Sequence, residues 1–325
     1  MSDVQIYHGL GELPADLGAT AVTIGNFDGV HLGHQHVLQQ LVEHAHRTGS
    51  TAVVITFDPH PALVHRPESA PELLTGTAEK LARIEATGVD AVLVVDYTPE
   101  FYVLTPEEFT RTWLVQGLGA RAVVVGHDLR FGRENSGDFS TMVQLGEQHG
   151  FEVVGVADYE ISGITGARCS STAIRTALQH GDVDAVLHML GRPHAVMGEV
   201  VHGAARGREL GFPTANLSAE SEGMIPADGV YAGYLVDAHG RRWPAAISVG
   251  SNPTFDGVER VVESHVIDRP HEQVEDFDLY GQYVRVEFLS HLRGMIAYEG
   301  VEKLVAQMQQ DVDETRRILA ASEQA

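Results

Sequence analysis

A single cysteine, Cys169, in 325 residues excludes a disulfide framework and suits a reducing compartment. No apolar run approaches the roughly 20 residues that a membrane-spanning helix needs, and the polar, acidic start Met1-Ser2-Asp3 lacks the features of a secretory signal. Together these predict a cytoplasmic protein with no membrane partner. Cations are scarce as well: 22 Lys and Arg stand against 45 Asp and Glu, a formal net charge of -23. A surface of that sign repels nucleic acid, so any anionic substrate has to be held at a local site. No internal repeat or low-complexity tract is present. Histidine is the exception to this sparseness, with 18 copies, but most, such as His44, His46, His149 and His180, lie singly on polar stretches and read as solvated side chains.

The length exceeds the usual ~150 residues of one domain and predicts two. From residue 21 to about 157, short apolar runs alternate with amphipathic stretches: Ala21–Ile24, Ala52–Phe57, Ala91–Val95, Ala122–Val125 and Phe151–Val156. Continuous apolarity marks parallel strands buried on both faces, hence an α/β, doubly wound parallel sheet. Thr105-Pro-Glu-Glu108 has the makings of a helix start, with a capping Thr, a Pro in the first turn and Glu108 completing a capping box. Two short helices, Ser171–Gln179 and Asp182–Leu190, are expected to close this domain, with the boundary at Gly191-Arg-Pro193, giving domains 1–190 and 191–325. Beyond it the apolar period changes to two in 196–201, 230–236, 245–249, 261–267 and 284–288, which predicts an antiparallel sheet or small β-barrel. A terminal amphipathic helix is expected over 301–319, with Val301, Leu304, Val305 and Met308 on one face.

The most informative segment is Gly25-Asn-Phe-Asp-Gly-Val-His-Leu-Gly-His34, which runs from an apolar strand into a helix whose stripe is Val37, Leu38, Leu41, Val42 and Ala45. His31 and His34 fall at the helix start, where unpaired N–H groups and the helix dipole favour anions, so the pair suits a triphosphate. The competing assignment is a surface or metal-binding pair, but the Glu of a His-Glu-x-x-His helix is missing. Three other segments lie at loop ends of the strands: Thr56-Phe-Asp-Pro-His-Pro61, Gly126-His-Asp-Leu-Arg-Phe-Gly132 and Arg168-Cys-Ser-Ser-Thr-Ala-Ile-Arg175. In the last, Ser171 and Thr172 offer hydroxyls and N–H groups while Arg168 and Arg175 flank them. Ordinary capping would explain the pair but not the two arginines, whereas Asp128 and Arg130 fit a surface ion pair nearly as well as a ligand contact. Cys169 has no evident partner and reads as a packing residue. The inventory holds no nucleophile with a base, and nucleotidyl transfer from ATP to a phosphate needs none.

In the second domain, the run from Gly203 to Asn216, with Gly207, Arg208 and Gly211, is too glycine-rich and too basic for a mere turn in so acidic a chain and reads as a phosphate-cradling loop. It is not a Walker A sequence. Thr214 and Asn216, two apart on an extended segment, can share a hard cation with phosphate oxygens. Glu263 is a carboxylate inside an apolar alternating strand; a buried structural Glu is one reading, and a general base for a substrate hydroxyl is the other.

These motifs resemble the bacterial bifunctional riboflavin kinase and FAD synthetase family over almost the whole chain. The segments around His31, Asp58 and Ser171 resemble its adenylyltransferase motifs. Gly211-Phe-Pro-Thr-Ala-Asn216, Ser251-Asn-Pro-Thr-Phe255 and Asp278-Leu-Tyr-Gly281 resemble its kinase motifs. The resemblance implies an N-terminal nucleotidyltransferase domain converting FMN and ATP to FAD and pyrophosphate, and a C-terminal barrel converting riboflavin and ATP to FMN and ADP, both with Mg²⁺. It implies that His31 and His34 hold ATP phosphates, that Arg168, Ser171, Thr172 and Arg175 serve the β- and γ-phosphates, and that Asp128, Arg130 and Phe131 face FMN. Gly25, Phe27, Asp28, Gly33, Asp58 and His60 belong to the same nucleotide site. In the barrel, Gly203, Gly207, Arg208 and Gly211 would line the phosphate loop and Thr214 and Asn216 would bind the metal and ATP. Glu263 would be the base, and Arg293 would lie near the nucleotide or flavin. Leu129 stands where the family tends to carry an aromatic residue, and Ala297-Tyr-Glu-Gly300 departs from its usual pattern.

Two other readings stay open on the sequence: an adenylyltransferase for another phosphate-bearing substrate with a non-catalytic β domain, and a flavin- or nucleotide-binding sensor. A homo-oligomer, ring or dimer, is compatible with the chain.

Overall fold

The computed structural model describes residues 4–159, 169–202, 210–254, 257–268 and 279–322. The chain forms two compact units, Met1–Pro71 with Thr77–Ser170 and Glu72–Gly76 with Ser171–Ala325.

The first unit is built on a six-stranded sheet. Its strands are β1 (Gln5–His8), β2 (Thr20–Ile24), β3 (Thr51–Asp58), β4 (Ala91–Asp96), β5 (Ala120–Gly126) and, after the short pair β6 (Arg130–Phe131) and β7 (Gly137–Asp138), β8 (Glu152–Val156). They lie in the order β1-β4-β3-β2-β5-β8, every pairing parallel. Alternate residues of the continuous apolar runs face opposite layers. Val53, Ile55, Leu93 and Val95 pack with Phe109, Leu114 and Met142. Val54, Val92 and Val94 pack with Leu38, Leu41 and Ala45 of the helix Leu32–Thr48. Burial on both faces is why these strands carry no polar alternation. The edge strand β1 was not expected: four residues long and mostly exposed, it has no apolar run to betray it. Thr105 caps the helix Pro106–Phe109 in a full capping box, as its sequence predicts.

Strand order decides where a ligand can sit. From β2 the chain moves to one side through β3 and β4, then returns to the other side with β5, so a crevice opens outside the carboxyl ends of β2 and β5. The segments starting at Gly25 and Gly126 leave the sheet there, and Thr56–Pro61 leaves from neighbouring β3.

In the second unit β9 (His194–Val201), β10 (Ala215–Leu217), β11 (Gly229–Val236), β12 (Arg242–Thr254), β13 (Gly257–Val266) and β14 (Tyr283–Arg293) close an antiparallel barrel in the order β10-β13-β12-β11-β14-β9. Pairing of β9 with β10 completes the ring. Val196, Tyr231, Leu235, Ile247, Val286 and Phe288 are fully buried, and each such side chain contributes roughly 1.5–3 kcal/mol. The helices Ser171–Gln179 and Val183–Leu190 fall in this compact unit, the latter packing on β9 and β14.

Two details correct the sequence expectations. The terminal helix runs Val301–Ser322, but Val301 is 59% exposed: it is the first helical residue, and the packed stripe starts at Leu304 and continues through Val312, Thr315 and Leu319. His44 is buried rather than solvated, because it sits beside Leu41 and Ala45 on the inner side of its helix, with its Nδ1 2.9 Å from Arg47.

Candidate active sites

The loop after β2 is held in a conformation that its side chains do not favour. Phe27 and Val30 have φ of +50° and +38°, the left-handed region that a bulky or β-branched residue rarely adopts. A turn from the Val30 N–H to the Phe27 carbonyl, 3.0 Å, fixes it. Such strain persists only where the surroundings hold it, and it clusters at functional sites. Both Phe27 and Asp28 are buried.

His31 is the N-cap of the helix Leu32–Thr48: its Nδ1 accepts the His34 N–H at 3.2 Å. The rings of His31 and His34 stack 3.6 Å apart at 17°, and Phe27 meets His34 edge-on at 5.2 Å. Gly33 makes this possible, since a Cβ there would lie 3.2 Å from the His31 ring. Gly25 likewise gives room to Phe27, whose ring lies 3.1 Å from where its Cβ would be. Burial, and then the neighbouring His31, hold the His34 imidazole well below its ordinary range, and its Nδ1 is buried without a hydrogen-bond partner. One expectation is corrected here. The first N–H groups of the helix are not unpaired: those of Leu32 and Gly33 meet the Cys169 thiol, and that of His34 meets His31. Attraction for an anion at this point therefore rests on the imidazoles and the helix dipole. Burial pushes the Cys169 thiol up, which fits a packing residue.

Asp58, ending β3, accepts the Thr77 hydroxyl at 3.2 Å, and His60 caps the short helix Pro61–His65 through Ala62 N–H at 3.1 Å. A residue that the sequence did not single out lies beside them. Lys80 is buried, and its Nζ donates to the Phe57 carbonyl at 2.8 Å. A lysine four residues before Ile84, on the buried side of its helix, was the available signal.

After β5, a turn from Leu129 N–H to Gly126 carbonyl carries Asp128. Leu129 and Phe131 are buried in the core, Phe131 against Phe109 at 5.9 Å, so neither stands as an exposed crevice wall. Arg130 pairs across the β6–β7 ladder with Asp138 and donates to the Leu129 carbonyl at 2.8 Å.

Ser171, Thr172 and Arg175 open the first helix of the second unit, and Arg175 Nε donates to the Glu72 carbonyl at 2.7 Å. Arg168, Gly203, Gly207 and Arg208 lie outside the described residues.

In the barrel three expected residues come together. Asn216 on β10 stands directly across the ladder from Glu263 on β13. Its amide lies 3.3 Å from the Thr214 hydroxyl, and Thr214 in turn hydrogen-bonds the Glu263 carboxyl. Burial pushes Glu263 above the usual carboxylate range, partly offset by that bond. Gly211, at φ +84°, turns the chain into this segment. His265, two residues along β13 from Glu263 and not foreseen, reaches Pro213 carbonyl with Nδ1 at 3.0 Å and Phe212 ring-to-ring at 5.2 Å. The same period of two that exposed Glu263 could have flagged it.

Arg293, at the end of β14, is gripped by Asp311 of the terminal helix through two bonds of 2.9 and 2.6 Å. Those bonds raise its already high pKa, and its guanidinium is committed to a fork that a phosphate would otherwise take.

Residues 13–173 match the family model described as FAD synthetase, and residues 190–319 the one described as riboflavin kinase. The bifunctional riboflavin kinase/FMN adenylyltransferase of Escherichia coli (strain K12) is 34% identical over 304 residues, 94% of this chain and 93% of the relative. Its counterpart in Pseudomonas fluorescens is 35% identical over 98% of this chain and 99% of the relative. That of Bacillus subtilis (strain 168) is 32% identical over 98% of each. A crystal structure from Streptococcus pneumoniae, named a macrolide-efflux protein, matches with a TM-score of 0.84 and 30% identity over 97% of this chain and 99% of that one. Among the described residues, no helix is long and apolar enough to cross a membrane. A strained His31/His34 loop at the switch point of a parallel sheet, a Thr214–Glu263 pair in a closed barrel and relatives matched end to end lead to one assignment: the chain belongs to the bifunctional riboflavin kinase/FMN adenylyltransferase family.

Proposed function

We propose that the chain runs its family's two reactions in separate halves, 1–190 and 191–325, with the following division of labour. In the barrel, riboflavin and ATP give FMN and ADP. Glu263 takes the proton of the terminal ribityl hydroxyl as that oxygen attacks the γ-phosphorus, and ADP leaves. The observation that carries this reading is the contact of Thr214 with Glu263 beside Asn216, which puts a base and two phosphate-side ligands on one patch. A carboxyl pushed up by burial is a better base near neutrality than an ordinary one.

Magnesium fits the donor set of Thr214 and Asn216, which offer hard hydroxyl and amide oxygens. Among the described residues no group of three or more His, Cys, Asp or Glu could hold an ion unaided, so phosphate and water would complete the shell. When bound, the ion would neutralise charge on the transferring phosphoryl group.

In the first half the FMN phosphate attacks the α-phosphorus of ATP and pyrophosphate leaves. The nucleophile is already an anion, so the residues bind and align rather than abstract a proton. His31 and His34 hold the ATP phosphates, with Gly25, Phe27, Asp28, Gly33, Asp58 and His60 shaping their surroundings. Arg168, Ser171, Thr172 and Arg175 serve the β- and γ-phosphates, and Asp128 and Arg130 face FMN. In the barrel Gly203, Gly207, Arg208 and Gly211 line the ATP phosphates. A buried single cysteine and the acidic surface suit a cytoplasmic enzyme with small-molecule substrates only.

Incubating the chain with riboflavin, ATP and Mg²⁺, and separately with FMN, ATP and Mg²⁺, tests this. FMN appears before FAD in the first reaction, and FAD with pyrophosphate in the second. Riboflavin left untouched while FMN is adenylylated would remove the kinase assignment.

A further inference from the structure

Lys80 is a buried cation for which neither reaction yet has a use. It is 6% exposed in the helix Thr77–Glu85, and its ammonium donates to the neutral Phe57 carbonyl at 2.8 Å. A single carbonyl does not repay the loss of water around an ammonium group; a buried lysine needs negative charge nearby. Two carboxylates supply it. Burial pushes Lys80 below its ordinary range, and Asp58 and then Asp28 pull it back. Asp58 ends β3 and accepts the Thr77 hydroxyl, 3.2 Å away, from the first turn of the same helix. Asp28 is 4% exposed and lies between Phe27 and Val30 in the strained loop after β2. The helix starts where the β3-to-β4 connection comes back to the carboxyl edge of the sheet, which is the edge at which the crevice opens.

We propose that Lys80 is a positioning residue of the adenylyltransferase half: its ammonium, anchored on the Phe57 carbonyl, holds a positive charge at the end of β3 beside Asp58, where two anionic substrates must approach. The proposal rests on the reading that the Gly25–His34 loop serves the ATP phosphates. Remove the cation and two carboxylates meet the incoming polyphosphate, which raises KM by like-charge repulsion.

The test compares Lys80→Met and Lys80→Arg in the full chain, with steady-state FAD formation from FMN and ATP as one readout and FMN formation from riboflavin as the other. Lys80→Met, close in volume and free of charge, raises KM for ATP and for FMN by tenfold or more in adenylylation and leaves the barrel reaction unchanged. Lys80→Arg, which restores the charge, recovers most of that KM. Wild-type KM values in Lys80→Met overturn the proposal. So does an equal defect in both variants, since filling space would then be all that Lys80 does. Should Lys80→Met not fold, Lys80→Gln is judged by the same KM criterion. His31→Ala, run in parallel, separates the two ideas: if it leaves FAD formation intact, the reading of the loop fails whatever Lys80 does.

Discussion

Asn216 and Glu263 face each other as a direct cross-strand pair of β10 and β13, with Thr214 bridging them by hydrogen bonds to both side chains. The carboxylate is thereby kept in a half-buried barrel wall next to the two residues proposed to hold the metal. Glu263→Gln keeps the shape and removes the base. FMN formation from riboflavin should fall ~10²–10⁴-fold, the usual contribution of a general base, while FAD formation from supplied FMN is unaffected. Since burial raises Glu263, the acid limb of the kinase pH profile should lie above 4.5, with activity lost as pH falls through the raised value. Parallel assays from riboflavin and from FMN on one preparation check both points; a Gln variant with normal kinase turnover removes Glu263 from the mechanism.

The stacked rings of His31 and His34 make a second prediction. Two imidazolium rings 3.6 Å apart would repel, and burial already keeps His34 neutral, so free protein should show no protonation of His34 as pH passes down through 6.5. Histidine NMR titration reads this directly. Replacing both by alanine should cost FAD formation ~10²-fold or more, the scale of losing one preorganised donor to a developing charge, while FMN formation continues. A folded double variant that loses both activities would show that the two sites do not act separately.

The backbone plan was legible because burial on two faces leaves a mark in the sequence. Ala52–Phe57 and Ala91–Val95 could be nothing but interior strands once the turns around them were read, and Thr105–Glu108 carried its cap in its own residues. β1 was not legible: an exposed four-residue edge strand gets its position from the ladder with β4, a partner some 80 residues away that no local pattern encodes. At the barrel site the spacing of Thr214 and Asn216 was enough, because residues two apart on a strand share a face. Their meeting with Glu263 depends on the register of β10 against β13, which the sequence does not state. Lys80 and His44 escaped for a common reason: a polar residue on an inner helical face is indistinguishable by type from one on the outer face. Only what each meets in the fold, the Phe57 carbonyl in one case and Arg47 in the other, accounts for its place inside.

Arg293 was expected near the nucleotide or flavin, and the Asp311 fork makes a structural role testable against it. The pair is largely buried, with side-chain exposures of 18% and 9%, and removing one member of such a pair leaves an uncompensated charge at a cost of about 3–5 kcal/mol. Asp311→Ala and Arg293→Ala should each lower the urea midpoint, and the double variant should lose much less than their sum. Additive losses in the double-mutant cycle would mean that the fork contributes nothing as a pair.

Stability should also carry an acid signature from His194. Its ring is 2% exposed, Nε2 lies 2.6 Å from the Met224 carbonyl, and burial drives its pKa down to about 4. In the unfolded chain the same imidazole binds its proton near 6.5. Between those values the unfolded state holds more protons than the folded one, so stability is full above about 6.5 and falls as pH drops toward 4. The slope reaches about 1.4 kcal/mol per pH unit. His194→Asn is polar and cannot charge. Urea unfolding followed through Trp243, in a Trp113→Phe background so that a barrel residue is the only reporter, should show the parent losing about 1.5 kcal/mol between pH 6.5 and 5 beyond what the Asn variant loses. If the two curves run parallel over that window, His194 takes its proton in the folded barrel without penalty, and the 2.6 Å contact with Met224 does not hold it neutral.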